Sequence, residues 1–180
     1  TYRQAVMDLV FELVSNRDVA CLTEQLIGGK GELFTHSANV AYLSVLVGIE
    51  LETYIVQQRQ RLDNEQARDI TALGMGAMMH DIGKVGLEHD AHHIHEIDTL
   101  KDDATDEQIE SYRDHVLAGY QMLRGTRAPA SATQVVLTHH QRWDGKGFPD
   151  MSGPTNKRIE GTQSGSKIHV FSRIVAAANL

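Results

Sequence analysis

The hydrophobic positions of this chain repeat with the period of a helix, and no segment alternates convincingly as a strand does. Over Tyr2 to Asn16 they fall at Val6, Leu9, Val10, Leu13 and Val14, a spacing that lays a stripe along one side of a helix. Asp18 to Ile27 predicts a second, shorter helix ended by Gly28-Gly29. Glu32 to about Gln58 predicts one long apolar-rich helix whose apolar face includes Val40, Leu43, Val47 and Leu51. Asp63 or Asn64 suits the N-cap of the next helix, expected to run through Ile70, Leu73 and Met78 to His80. Gly74 and Gly76 lie inside it, where glycine costs stability relative to alanine, so close helix packing is expected there. Thr105, with Gln108 three residues on, fits a capping box opening a helix from Asp106 to Leu123. Ser131 starts a helix that delivers His139 and His140, and Lys167 to Leu180 reads as a final one. Gly86 to Asp103 and Gly145 to Gly165 read as loops. The pattern predicts an all-α bundle of about six to eight helices in one domain, 1–180, with no repeat. Its abrupt start and finish lead us to expect a piece of a longer protein.

Composition narrows the picture. A length of 180 residues supports one real core, and a hydrophobic fraction of 41% fits a globular domain. No apolar run approaches the length of a membrane span, and no signal-peptide pattern opens the chain. Cys21 is the single cysteine, which excludes an internal disulfide and fits a reducing compartment; a cytoplasmic location is expected. The formal charge of −7 gives the surface no general attraction for polymeric nucleic acid. An anionic substrate must therefore be drawn by local positive charge, most simply bound metal. The 10 histidines are dispersed rather than gathered at a terminus, which excludes a tag and leaves metal ligation.

The chemistry-bearing residues come in a fixed order. His80-Asp81-Ile82-Gly83-Lys84 is followed by His115, then by His139-His140 and Trp143-Asp144-Gly145-Lys146-Gly147-Phe148-Pro149. Imidazole and carboxylate suit first-row divalent metals. Adjacent residues point about 100° apart on a helix, but at a helix end His80 and Asp81 can reach one ion, with Asp81 bridging to a second. Gly83 turns the chain, and Lys84 can swing back as a point charge for a phosphate oxygen. A polar helix terminus is the better explanation of His-Asp alone; the following Gly-Lys shifts the balance. His139-His140 follows apolar Val135, Val136 and Leu137, so that helix emerges from the core into a cavity. His115 in isolation is an amphipathic boundary residue. Glu32 and His36 share a helix face and either ligate one ion or form a plain intrahelical pair. His89, His92, His93 and His95 read as a solvated loop, and His169 as unrelated to the metals. A multi-metal site beside a lysine and a glycine-rich basic loop points to hydrolysis of a phosphate ester.

These motifs resemble the HD-GYP family of HD-domain metal-dependent phosphohydrolases, over roughly Glu32 to Asn179. The family's His-Asp-x-Gly-Lys is matched in full. Its His-His-Glu-x-x-Asp-Gly-x-Gly-Tyr-Pro is matched from His139 to Pro149 with Gln141 for Glu and Phe148 for Tyr. Its Ala-Arg-Ile-Val-Ala-Val-Ala-Asp is similar to Ser172 to Asn179, ending in Asn179 where the family has an Asp ligand. Asn39 stands where many members carry Arg, and the usual Pro-containing stretch after Lys84 is missing. The resemblance implies an HD-type bundle with a Gly-rich loop and two or three divalent ions, iron or manganese. It implies a bacterial second-messenger phosphodiesterase that cuts cyclic di-GMP to pGpG or GMP. It implies His80, Asp81, His115, His139 and His140 as ligands with Asp81 bridging, His36 as the early His, Glu32 as an extra ligand, and Asn179 in a ligand's place. Lys84 would hold a substrate phosphate, and Arg142 and Lys146 could add cationic contacts. Asn179 and Gln141 keep open a degenerate module that senses the nucleotide or contacts a GGDEF-type partner. Hydrolysis of another cyclic dinucleotide is also open.

Overall fold

The computed structural model describes residues 2–28, 31–86, 105–150 and 163–180, and all regular structure among them is helical. Two helices, α1 (Tyr2–Ser15) and α2 (Arg17–Gly28), precede the long α3 (Gly31–Glu50). Then come α4 (Glu52–Gln58), α5 (Asn64–Arg68) and α6 (Thr71–Met79), which runs into a 3-10 turn, Ile82–Gly86. The chain continues with α7 (Asp106–Leu123), α8 (Ala130–Thr138) and α9 (Val170–Ala178). No single helix among the described residues is long and apolar enough to cross a membrane.

Helix α6 is the axis of the molecule. Ala72 through Met79 are all buried, and α1, α3, α8 and α9 pack around them. Burying Leu73 and Met75 outright stabilises by about 1.5–3 kcal/mol each. A methyl on Gly74 would stand 2.7 Å from Leu9 Cδ2, and one on Gly76 2.8 Å from Val135 Cβ, so close packing explains both glycines. The capping box at Thr105 and Gln108 forms as its residues predict.

Three elements depart from the hydrophobic pattern. The stretch from Glu32 to Gln58 bends by 84° between α3 and α4, which turns Ile55 into the core. The helix expected from Asp63 to His80 breaks at Asp69. Arg59 takes the carbonyls of Ala67 and Asp69, and the Asp69 carboxylate caps the Thr71 amide at 2.8 Å. On α3, only Val40 of the expected apolar face is buried; Leu43, Val47 and Leu51 are exposed. The inner face is Ser37, Val40, Ala41, Ser44, Val45 and Gly48, whose small side chains let α6 approach closely. The residues 87–104, with His89, His92, His93 and His95, lie outside the described part, as do 151–162 within the second expected loop.

The expected last helix starts late, at Val170, because the His169 ring caps it, accepting from the Phe171 amide. A buried hydroxyl pair, Thr138 and Ser172 at 2.8 Å, fastens α9 to α8. Burial, with Arg59 and Arg173 nearby, lowers the His169 pKa to about 4. The sign follows: between pH 6.5 and about 4 the unfolded chain takes the proton and the folded one does not. This contribution to stability is thus intact above pH 6.5 and lost as pH falls through 4. His169→Asn replaces the capping ring nitrogen by an amide oxygen that can also accept from the Phe171 amide, and removes the titration. Chemical denaturation at pH 7 and pH 4.5 should show the variant losing less stability on acidification, by about 2–3 kcal/mol at most.

Candidate metal centre

The C-terminal ends of α6, α8 and α9 meet the middle of α7 and the first turns of α3 around one buried carboxylate, Asp81. His80 caps α6, and the 3-10 turn that follows brings Lys84 back, as the Gly-Lys pair predicts. Lys84 Nζ lies 2.8 Å from Asp81 Oδ2 and 5.1 Å above the Tyr112 ring. Asp81 splits its two oxygens. Oδ2 faces His80 Nε2 at 3.2 Å and His36 Nε2 at 3.7 Å. Oδ1 faces His115 Nε2 at 3.3 Å and His139 Nε2 at 3.8 Å, with His140 in the same group.

The ring tautomers follow from the helices. His80, His115 and His139 each donate Nδ1–H to a carbonyl three residues earlier, those of Ala77, Tyr112 and Val136. That leaves their Nε2 lone pairs pointing inward, the orientation that an outer hydrogen bond imposes on a ligating imidazole. Burial, reinforced by neighbouring rings, holds His139 and His140 well below the ordinary histidine pKa, and burial lowers His115 and His36 as well. For Asp81, burial opposes the charge, yet the Lys84 ammonium beside it helps hold its carboxyl well below the usual range. Neutral imidazole and ionised carboxylate are the forms that bind metal.

A cation fits this donor set. His115 Nε2 and His139 Nε2 face one another at 3.5 Å, and His115 Nε2 faces Asp81 Oδ1, with no proton to place between them. His80 Nε2 and Asp81 Oδ1 are buried without a hydrogen-bond partner. Opposed lone pairs in a dry site are costly unless a positive charge satisfies them. Atoms bound to one ion at about 2.1 Å lie about 3.0–3.4 Å apart, close to the separations found.

The other expected residues divide. Asn179 does reach the centre: its Oδ1 lies 2.8 Å from His36 Nε2. Glu32 is exposed and joins neither group of candidate ligands. Arg142 and Lys146 line a cavity of about 690 Å³ with Arg113, His139, His140 and Asn179. Within it Arg142 grips Asp144 through two hydrogen bonds, at 3.0 and 3.2 Å. Gln141 is no partner of a ligand histidine; its amide donates to the Pro149 carbonyl at 2.7 Å and closes the loop. Phe148 stacks on His140, ring centres 4.4 Å apart and 18° from parallel, so the ring rather than a hydroxyl is what this position uses. Gly145 has a positive φ, whereas Gly147 is needed for space, since a methyl there would overlap the His140 carbonyl. Tyr112 carries no motif of its own, yet its carbonyl accepts the hydrogen bond from His115 Nδ1–H and its ring underlies Lys84; its place three residues before His115 is the available signal. His169 stands in neither ligand group.

A helical bundle closing histidines around one aspartate defines the class: an all-helical protein with a His-Asp cluster that could hold metal. The chain belongs to the HD domain family: the family model for the HD domain matches residues 22–180. Its relatives place it with HD domains of the HD-GYP type. A cyclic di-GMP phosphodiesterase of Thermotoga maritima is 32% identical over 82 residues, 44% of this chain and 21% of that protein. A cyclic di-GMP phosphodiesterase of Vibrio cholerae is 35% identical over 88 residues, 44% of this chain and 16% of that protein. The cyclic di-GMP phosphodiesterase response regulator RpfG of Xanthomonas campestris is 28% identical over 129 residues, 70% of this chain and 29% of that protein. The chain thus spans less than a third of the length of each of these relatives. No solved structure matches it at a significant level.

Proposed function

We propose that this chain is a metal-dependent phosphodiesterase that opens cyclic di-GMP to pGpG or GMP, with two or three iron or manganese ions. The observation that supports it most is the division of Asp81, whose two oxygens face different sets of imidazole nitrogens. His36, His80, Asp81, His115, His139 and His140 would hold the ions. When bound, such ions supply a nucleophile at neutral pH and neutralise phosphate charge. The protein's own groups do the rest. The helix carbonyls fix the imidazole tautomers, and Phe148 holds the His140 ring by stacking. Lys84 steadies the Asp81 carboxylate, and its ammonium adds positive charge for a phosphate oxygen beside it. Arg113, Arg142 and Lys146 bring cations to a cavity wall that also carries Glu110, Asp114 and Asp150, and its volume lies within the range of nucleotide-sized pockets.

The direct test is chromatography of cyclic di-GMP incubated with anaerobically iron- or manganese-loaded protein, with His80→Ala as control. Product formed only by the intact protein supports the proposal. Bound metal without product would instead favour a nucleotide sensor or a scaffold for a GGDEF-type partner, the reading that the neutral Asn179 amide supports. The rim has its own signature. Arg142→Ala combined with Lys146→Ala should raise KM roughly tenfold, about 1.4 kcal/mol, and leave kcat nearly unchanged. A fall in kcat with KM constant would move these cations to the reacting centre.

A further inference from the structure

The two sides of the centre are built unequally. On the Oδ1 side of Asp81 stand His115, His139 and His140. His115 and His139 are wholly buried, and helix carbonyls pin their lone pairs inward. On the Oδ2 side, among the described residues, stand His36 and His80. There His36 is 32% exposed, and its Nε2 faces the Asn179 amide oxygen at 2.8 Å. An amide oxygen accepts, so the proton of His36 sits on Nε2, the atom that ligation needs bare. The Lys84 ammonium also occupies Oδ2 at 2.8 Å. Charge sharpens the contrast. Asp81 is the one carboxylate in both ligand groups among the described residues, and it already balances Lys84. Among the described residues no further carboxylate joins that side to compensate a second dication, because Asn179 is neutral and Glu32 is turned to solvent.

We infer that the His115–His139–His140 side retains one divalent ion by itself, and that the His36–His80–Asn179 side retains a second only when a phosphate-bearing anion enters the adjoining cavity and supplies the missing charge. Asn179 lines that cavity together with His139 and His140, so an anion there stands beside both sides and meets the deficient one at Asn179. The second ion and the anion then bind cooperatively, each strengthening the other by the same factor. The inference rests on the phosphate-ester reading proposed above, though not on which ester is cut.

The test is titration with manganese(II), following free ion by its electron spin resonance. It is run without anion, with inorganic phosphate, and with a hydrolysis-resistant phosphorothioate of cyclic di-GMP. The wild type should bind one ion tightly and a second about 10- to 100-fold more weakly, the scale on which ligand surroundings change metal affinity. The anion should tighten the second ion alone. Asn179→Asp should bind the second ion without anion and gain little more from it. His36→Ala should keep the tight ion and lose the weak one, which covers the case of an Asn179 variant that folds poorly. Two equally tight ions in the anion-free wild type would overturn the inference, as would an Asn179→Asp protein whose second ion binds no better. Tightening by inorganic phosphate but not by the cyclic di-GMP analogue would uphold it and remove cyclic di-GMP as the substrate. No tightening by either anion would overturn it, leaving the hydrolysis proposal to its own product assay.

Discussion

Asp81→Asn is expected to empty both sides of the centre and to lower hydrolysis by at least about 10³-fold, a loss of several kcal/mol of charge stabilisation. The size of the effect follows from position. Each oxygen of Asp81 serves a different set of histidines, so one substitution removes the anion from both. No described carboxylate stands ready to replace it. A second consequence separates folding from chemistry. Lys84 is 4% exposed and its ammonium rests on Asp81 Oδ2. Removing the charge strands a buried cation, which costs about 3–5 kcal/mol when one partner of a buried pair is lost. Replacing both partners is much gentler than replacing one. Asp81→Asn with Lys84→Met should therefore recover most of the lost stability in thermal denaturation while metal content stays near zero. Recovery of metal binding in the double variant would mean that Asp81 is not the shared ligand.

Much of this arrangement was legible before any coordinates. His80, Asp81 and His139-His140 follow apolar runs in their helices, a place where polar residues need a common purpose, whereas His115 sits in a polar stretch and only the resemblance singled it out. The return of Lys84 to Asp81 follows from a glycine and a 3-10 turn, both local. The partners of His36 are less legible, because one candidate neighbour, Glu32, lies four residues away and the other, Asn179, near the far end of the chain. Helix periodicity favoured Glu32, one turn away, yet the tertiary packing of α9 against α3 chose Asn179. The inner face of α3 was misjudged for a related reason. Large apolar side chains at Leu43, Val47 and Leu51 outweigh small ones in any hydropathy pattern, but close approach to α6 selects the small face. The break at Asp69 depends on Arg59, ten residues earlier, reaching free carbonyls, which no periodic signal encodes.

Gly83→Ala is expected to be the most damaging single methyl in the described part of the chain. A Cβ there would overlap the His115 carbonyl oxygen and stand 2.6 Å from the Gly119 amide nitrogen. Both obstacles are backbone, so no rotamer change relieves them; α7 itself has to move. The cost is about 3 kcal/mol or more, lowering Tm by roughly 6–12 °C in a domain of this size. The same displacement carries His115 away from Asp81 Oδ1, so affinity for the first, tight ion should fall with stability. Gly119 makes the comparison that isolates the cause. A methyl there meets the Val136 side chain at 2.9 Å, an obstacle that substitution can remove. Gly119→Ala should be partly rescued by Val136→Ala, whereas Gly83→Ala should not be. Gly28→Ala, with nothing within 4 Å of the new carbon, should change stability by less than about 0.5 kcal/mol. If Gly83→Ala melted like the Gly28 variant and kept its tight ion, the contact between the 3-10 turn and α7 would not be what positions His115. Loss of the tight ion together with stability would show that the glycine of the His-Asp-x-Gly-Lys motif serves the metal centre by letting two backbones touch.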